Sequence, residues 1–222
     1  MNIPDDLLPD AWLWLGYGLY GLLLLAAVLR GSWRRLRDGT QLNVFLGTSV
    51  AIMVLWTLKA GVMPGLNFHF LGASLLTLMF GGLLATVGIS IVLFGITLSG
   101  MGGWEVFPVN ALLMGALPAA VTLGVYRLVH RFRPRNLFIY IFVCGFFGAA
   151  LAMAVTGLAS TAVYWLSGVY SIDDLLQHYL PYYLLMMFPE AIFTGSFVAL
   201  LVVYRPQWIW TYDEDAYLGP GR

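Results

Sequence analysis

Few residues in this sequence could bind a metal or carry out acid-base chemistry, and they lie far apart. His69 opens the apolar stretch FHFLGASLL, and Met101, Glu105 and Asn110 lie in or beside the glycine-rich loop GMGGWEVFPVN. Imidazole nitrogen and thioether sulfur are both transition-metal ligands, and nearby carboxamides or carboxylates can orient such ligands. These residue types therefore raise the hypothesis of a metal site.

Each of these residues also has an ordinary structural use. A single histidine at a helix start more often caps the helix at a membrane interface, and a single methionine more often fills a core. Glu105 suits a solvated loop, and Asn110 suits the N-cap of the following helix. Glu190 differs, because it follows Pro189 inside an apolar stretch, and an ionisable residue at membrane depth is costly unless it has a function.

An intramembrane enzyme is the main alternative from another functional class. The sequence contains no HExxH helix, no GxSxG elbow and no Walker A motif. His178 and Glu190 are about three helical turns apart, which disfavours an acid-base pair. A seven-helix photoreceptor would need a lysine in a late helix, whereas the only lysine is Lys59. We therefore expect neither an enzyme nor a protein with a covalent cofactor.

The composition is that of a polytopic membrane protein. Hydrophobic residues make up 60% of the 222 residues, charged residues 10%, and the mean hydropathy is +0.84. A soluble domain could not keep so much apolar surface from water. The single cysteine, Cys144, lies in an apolar run, which excludes an internal disulfide and a cysteine cluster. The predicted fold class is an all-α transmembrane bundle.

The apolar stretches predict about seven helices. They cover approximately residues 11–30, 43–60, a pair between His69 and Ser99 broken at Gly81 and Gly82, 109–128, 137–157 and 178–204. The arginine-rich loops after the first and fifth helices are cytoplasmic by the positive-inside rule, and this requires the broken pair. The N-terminus is then outside and the C-terminus inside. We predict an extracytoplasmic segment 1–10, a helical domain 11–204 and a cytoplasmic tail 205–222.

The first ten residues, MNIPDDLLPD, are not a secretory signal, because they have three acids and no base. Pro4 and Pro9 stiffen the backbone, which is unusual for a frayed terminus. If Met1 is retained, its free α-amine is a further candidate ligand. The large Asn2 favours retention.

Four motifs taken in order carry a resemblance to a known family: MNIPDDLL, FHFLGASLL, GMGGWEVFPVNALLMG and HYLPYYLLMMFPEAIFTG. They resemble the permease family that supplies the substrate-binding subunit of energy-coupling-factor importers for cobalt and nickel. That family typically begins MHIPDG and has a loop of the form GHGGLTTLGAN followed by MG. The resemblance implies a metal site formed by Met1, Asn2 and His69, with Met101 at its edge, and a first segment that threads back into the bundle.

Two departures from the family pattern leave the transported ion open. Asn2 stands where the family has histidine, and Met101 stands where the loop histidine would be. Nitrogen-rich, near-planar ligation suits Ni(II), whereas a thioether with one imidazole favours a softer ion such as Cu(I). Nickel, cobalt and copper therefore remain candidates, as does another small solute.

The resemblance also implies how the subunit works. A second transmembrane coupling subunit and ATP-binding subunits would drive transport across the inner membrane of a prokaryote, with lipid around the bundle and no nucleic-acid partner. Glu105, Asn110, His178 and Glu190 would line the substrate path or support the ligands. The alternative is an accessory or structural subunit of a membrane complex that has the same fold and a lost metal site.

Overall fold

The computed structural model describes residues 2–132, 136–214 and 217. Met1, a predicted ligand, lies outside the described residues. The helices are α1 (Asp10–Arg30), α2 (Gly39–Thr57), α3 (Ala73–Phe80), α4 (Gly82–Leu98), α5 (Phe107–Ala111), α6 (Leu117–Arg131), α7 (Leu137–Ile139), α8 (Gly148–Leu166), α9 (Ile172–His178) and α10 (Leu180–Tyr204). Short 3₁₀ turns cover Trp33–Arg37 and Pro206–Trp208.

Two π-helical segments make longer helices from these pieces. Leu112–Ala116 joins α5 to α6, and Tyr140–Phe147 joins α7 to α8. Among the described residues, five helical stretches are long and apolar enough to cross a membrane: Asp10–Arg30, Gly39–Thr57, Phe107–Arg131, Leu137–Leu166 and Ile172–Tyr204. The apolar helix Gly82–Leu98 is shorter. The chain is therefore a mostly helical, multi-pass membrane protein, as its composition predicts.

The outer surface of the bundle is apolar, as lipid contact requires. In α1, Trp14 is 75% and Leu29 72% exposed, and only Gly16 and Ala27 are buried. Such a helix would be unstable in water, because most of its large apolar side chains are exposed. In a bilayer they face acyl chains, and only small residues need to approach neighbouring helices.

Helix α3 is a short helix inside the bundle. All eight of its residues are buried, and at about 1.5 Å per residue it spans only about 12 Å. It ends at Gly81, where the sequence predicts a break, and α4 begins at the next residue. It starts later than the sequence suggests, because residues 66–72 form a strand and a loop. That loop carries His69.

The prediction of a purely α-helical chain is wrong at one place. Strands β1 (Ala60–Met63) and β2 (Leu66–Phe68) pair antiparallel. The turn between them includes Gly65, which has φ +76°. Helix α2 consequently ends at Thr57, not near Ala60. Each strand exchanges backbone hydrogen bonds with the other instead of continuing a helix.

The helix predicted to end near Gly157 instead continues to Leu166. Its polar residues do not break it, because Thr161 donates its hydroxyl to the Gly157 carbonyl at 2.8 Å within the same helix. The chain turns at Gly168, which has φ +75°. The segment predicted to be an outer loop contains α9, whose N-cap Ser171 accepts from the Asp174 backbone N–H at 3.1 Å.

The segment after α10 folds back onto the C-terminal end of α3. The Trp210 and Thr211 backbone N–H groups donate to the carbonyls of Met79 and Leu78, at 3.0 and 3.2 Å. These are carbonyls that a helix end leaves without intrahelical partners. The indole of Trp210 lies against Gly81. The first part of the tail is therefore packed against the bundle.

Replacing Gly81 with alanine is expected to destabilise this junction. Gly81 has φ +84° and ψ 159°, a conformation that costs other residues about 1–3 kcal/mol. A Cβ there would also lie 3.2 Å from the Trp210 ring. Gly81→Ala should lower the unfolding temperature in detergent. Gly124→Ala is the control, because a Cβ at that helical position meets no atom within 4 Å; equal melting of the two variants would contradict the interpretation.

Candidate functional site

The start of the N-terminal segment is buried, with Asn2 7% and Ile3 0% exposed. The backbone N–H of Asn2 donates to Asn67 Oδ1 at 3.0 Å, and Asn67 Nδ2 donates back to the Asn2 carbonyl at 3.1 Å. The Asn2 side chain donates from Nδ2 to the Met101 carbonyl at 2.8 Å. Asn2 therefore ties together the hairpin and the glycine-rich loop, two of the segments that the sequence places near the site.

Asn110 holds the next residue. Its Oδ1 accepts from the Ile3 N–H at 2.9 Å, and its Nδ2 donates to the Ile3 carbonyl at 2.9 Å and to Asn2 Oδ1 at 2.8 Å. The carboxamide thus pairs with Ile3 as a neighbouring strand would. The suggestion that Asn110 is an N-cap is wrong: it lies inside α5, whose N-cap is Val106. Asn110 and Ile3 are both fully buried.

Asp5 is a second anchor that the sequence reasoning missed. Its carboxylate accepts from the backbone N–H groups of Trp104, Glu105 and Val106, at 2.9, 2.9 and 3.3 Å. These groups precede α5, where backbone donors lack helical partners and favour an anion. The signal in the sequence was an acid directly after Pro4. Glu105 itself is exposed and contributes its backbone to this contact.

His69 is the buried candidate ligand with a free ring nitrogen. It is 3% exposed, and its Nδ1 lies 2.8 Å from the Phe70 carbonyl, so this contact assigns the proton to Nδ1. Its Nε2 is buried without a hydrogen-bond partner among the described residues. Metal-binding histidines commonly show this arrangement, with the second nitrogen donating to a carbonyl. Burial lowers the pKa of the His69 imidazole to about 3, which keeps the Nε2 lone pair available at neutral pH.

The ring of His69 packs against Trp56 of α2, with a centroid distance of 4.5 Å. Trp56 Nε1 donates to the Leu71 carbonyl at 3.2 Å. Glu190 of α10 is fully buried, and its Oε2 and Oε1 accept from the N–H groups of Leu71 and Gly72 at 2.9 and 3.0 Å. Side chains from two helices thus hold the loop that carries His69.

The two remaining candidates are Met101 and His178. Met101 is half-buried, and its carbonyl accepts from Asn2 and, at 3.4 Å, from Lys59 Nζ. His178 ends α9, and none of the hydrogen bonds among the described residues joins it to Asn2 or His69. The structure therefore brings together Asn2, Met101 and Asn110, and it places His69 and Glu190 around a neighbouring loop.

A cavity of about 360 Å³ lies over the N-terminal segment. Its lining includes Asn2, Asp5, Lys59, Asn67 and Met101. No group of three or more His, Cys, Asp and Glu residues that could hold a metal occurs within residues 2–132, 136–214 and 217. Candidate donors of other kinds are the N-terminal amine, the backbone, carboxamides such as Asn2 and Asn67, and the thioether of Met101.

Known proteins are similar to this chain in sequence and in fold. A family model described as cobalt uptake substrate-specific transmembrane region matches residues 2–208. The chain is 26% identical to a cobalt transport protein CbiM from Clostridium cellulovorans over 63% of its length, and 28% identical to one from Desulforamulus reducens over 71%. These matches cover 55% and 62% of the two relatives, less than two thirds of either. Both relatives are named as transport proteins, not enzymes.

Two solved structures share the fold. A truncated transition metal transporter superposes with a TM-score of 0.78 at 20% identity, covering 92% of this chain and 99% of its own. A second transition metal transporter gives a TM-score of 0.68 at 22% identity, covering 91% of this chain and 93% of its own. At these identities the likeness concerns the fold alone.

Proposed function

Because the chain belongs to the family of cobalt uptake substrate-specific transmembrane regions, we propose that it is the substrate-binding membrane component of a transition-metal importer. The observation that carries the proposal is His69, a buried and neutral imidazole whose Nε2 has no partner among the described residues. A buried polar atom without a partner is costly. A metal ion would complete its bonding.

We propose that Met1, Asn2 and His69 form the ion site, with Met101 at the edge. Asn2 follows directly on the α-amine of Met1, and its contacts with Asn67, Met101 and Asn110 fix the backbone there. Its side chain is already hydrogen-bonded at both polar atoms, which supports a role in shaping the site more than in direct ligation. Glu105 and His178 remain candidates for the entry path on the outer face.

The donor set bears on the identity of the ion. Cobalt appears in the names of the two CbiM relatives, and it accepts mixed nitrogen, oxygen and sulfur donors. With one imidazole in place of several, the site offers less of the planar nitrogen ligation that favours Ni(II), and Met101 would favour Cu(I). We therefore propose cobalt as the first ion to test, with nickel and copper as competitors.

The proposed topology has seven helices. Helices α3 and α4 form the broken pair beside the five long spans. This places segment 1–10 outside, segment 11–204 in the membrane and segment 205–222 inside, with every Arg of the sequence on the cytoplasmic side. The membrane would be the cytoplasmic membrane of a prokaryote.

Transport requires energy that this chain does not supply, since its sequence has no Walker A motif. We propose that ATP-binding subunits act on it through a transmembrane coupling subunit, as in energy-coupling-factor importers. Capture would then occur at the outer face, and release inward would follow a rearrangement imposed by these partners. An accessory subunit without transport is the alternative if no ion binds.

His69→Ala is expected to abolish metal retention. The protein is purified in detergent after parallel exposure to Co, Ni, Cu(I) and Zn, and elemental analysis gives the metal bound per chain. Wild type should keep one of these ions near one per chain, and His69→Ala should lose at least 90% of it while eluting and melting as a folded protein, on the order of the effect of deleting a ligand.

The matched control is His130→Ala, which removes an exposed histidine stacked on Tyr126 in α6. It should retain metal as wild type does. If wild type retains none of the four ions, the metal-import function fails and the accessory role becomes the better account. If His69→Ala binds normally, the proposed site fails.

A further inference from the structure

The loop from His69 to Gly72 is fixed by side chains distant in sequence. Its Leu71 carbonyl accepts from Trp56 Nε1, and its Leu71 and Gly72 N–H groups donate to the two oxygens of Glu190. The Gly72 carbonyl accepts from the Leu76 N–H at 3.2 Å. The backbone before α3 is thus held from opposite directions by α2 and α10.

Glu190 binds the two residues that lead into α3, Leu71 and Gly72. Helix α3 has Gly72 as its N-cap, with φ +67° and no side-chain cap bond. The Leu71 and Gly72 N–H groups lie just before the first turn of α3, and a carboxylate so close to a helix N-terminus is favoured by the helix dipole. Both oxygens of Glu190 accept, which is the bonding pattern of a carboxylate. An acid inside an apolar helix is costly, and these two bonds offset part of that cost.

The orientation of His69 depends on this loop. Its Nδ1 bonds to the carbonyl of Phe70, which belongs to the same peptide group as the Leu71 N–H that Glu190 binds. Rotating that peptide would therefore move the acceptor of Nδ1 and redirect Nε2. Trp56 packs against the His69 ring and donates to the Leu71 carbonyl, which belongs to the next peptide group. It therefore restrains the ring directly and the neighbouring peptide as well.

We propose that Glu190 is a positioning residue for metal capture, which holds the Phe70–Leu71 peptide and so aims Nε2 of His69 at the ion. This inference rests on the proposed function, because it assigns His69 as a ligand. Glu190 itself does not touch the metal. It acts through the backbone, as residues supporting metal-ligating histidines do.

Glu190→Gln is expected to weaken metal binding about 10–100-fold, the usual effect of removing a group that orients a ligand. Glutamine keeps the size of the side chain but has one acceptor oxygen, and its amide N–H₂ faces a backbone N–H. Affinity is measured by titrating the ion retained by wild type. Glu190→Asp keeps the charge with a shorter reach, and its metal affinity should lie between those of wild type and Glu190→Gln.

Thr194→Val is the matched control. Thr194 lies one turn further along α10, it is fully buried, and its Oγ1 has no hydrogen-bond partner among the described residues. Valine has the same shape without the hydroxyl. This variant removes a buried polar group from the same helix and should leave metal affinity within about twofold of wild type.

A second readout needs no metal. Diethyl pyrocarbonate modifies neutral imidazoles. When the folded protein is labelled, mass spectrometry gives the rate of modification at each histidine. His69 is buried in wild type and should react slowly, while the exposed His130 serves as the reference within each sample. Glu190→Gln should raise the rate at His69 at least fivefold. Thr194→Val should not.

The two readouts separate the possible failures. If wild type retains no ion, the proposed function fails, and the labelling rate still decides whether Glu190 fixes His69. If wild type binds metal through His69 but Glu190→Gln changes neither affinity nor labelling, the positioning role is overturned. Lower affinity with unchanged labelling also overturns it, because Glu190 would then act by another route. If Glu190→Gln does not fold, Glu190→Asp and Trp56→Phe decide, and both should raise labelling at His69.

Discussion

Asn110→Leu is expected to release the N-terminal segment and abolish metal retention. The three hydrogen bonds of this carboxamide go to the N–H and carbonyl of Ile3 and to Oδ1 of Asn2. All three partners would remain in a buried site without acceptors or donors. An unpaired buried polar group costs about 1–3 kcal/mol, so the segment could not stay docked as it is in the native protein.

Loss of these hydrogen bonds should also abolish metal binding, because Asn110 fixes Asn2 and Ile3, the residues next to the proposed ligand Met1. Metal content falls to background, the melting temperature drops, and limited proteolysis cleaves within the first ten residues. Asn43→Leu is the control, since Asn43 is an exposed asparagine on α2 that lines an apolar cleft with Gly47 and Ala51. Wild-type metal content in Asn110→Leu would show that docking of the segment is not needed for binding.

Much of the architecture could be predicted from local sequence properties. Long apolar runs predict the spans, and the Gly81–Gly82 pair predicts the break after α3, because these features depend on composition and on backbone freedom. The acid at position 190 was recognisable because charge is costly in a membrane. Each of these signals is contained in one short stretch of chain.

The contacts that build the candidate site are not local. Asn2 pairs with Asn67, which is 65 residues away, and Ile3 pairs with Asn110, which is 107 residues away. Periodicity and propensity say nothing about such partners. Asp5 was missed for the same reason, since the backbone N–H groups that donate to its carboxylate lie about a hundred residues later. The resemblance to a family implies that the first segment enters the bundle. It does not identify the residues that bind the segment there, which only the structure shows.

The strand pair after α2 illustrates another limit. Ala60–Met63 is apolar enough to extend a transmembrane helix, but the sequence predicts a helix only up to about Ala60 and does not predict the strand pair that follows. The segment pairs with Leu66–Phe68 as a strand and does not extend the helix, because the turn at Gly65 brings the two segments together. The Tyr164 hydroxyl then donates to the Gly65 carbonyl at 2.9 Å. A tertiary contact therefore decided between two local structures that the apolar pattern alone could not separate.

Thr211→Val is expected to cost about 1–3 kcal/mol of stability, the penalty of leaving a buried polar group unpaired. Thr211 is 1% exposed, its Oγ1 donates to the Leu78 carbonyl at 2.9 Å, and it lies 2.6 Å from the hydroxyl of Tyr140. With its hydroxyl already donated to Leu78, Oγ1 acts as the acceptor for Tyr140. Valine leaves the fully buried Tyr140 hydroxyl without this acceptor.

A double-mutant cycle tests that assignment. Tyr140→Phe removes the donor in an otherwise native protein and should cost about 0.5–1.5 kcal/mol, the value of one hydrogen bond. In the Thr211→Val background the same change should cost almost nothing, because the bond is already gone. The free energies of unfolding, measured in mixed micelles by denaturant titration, should therefore differ from additivity by about 1 kcal/mol. Additive effects would mean that the hydroxyls of Tyr140 and Thr211 are not energetically coupled. The tail would then be held by its backbone pairs with Leu78 and Met79 and by ring contacts such as that of Trp210 with Gly81.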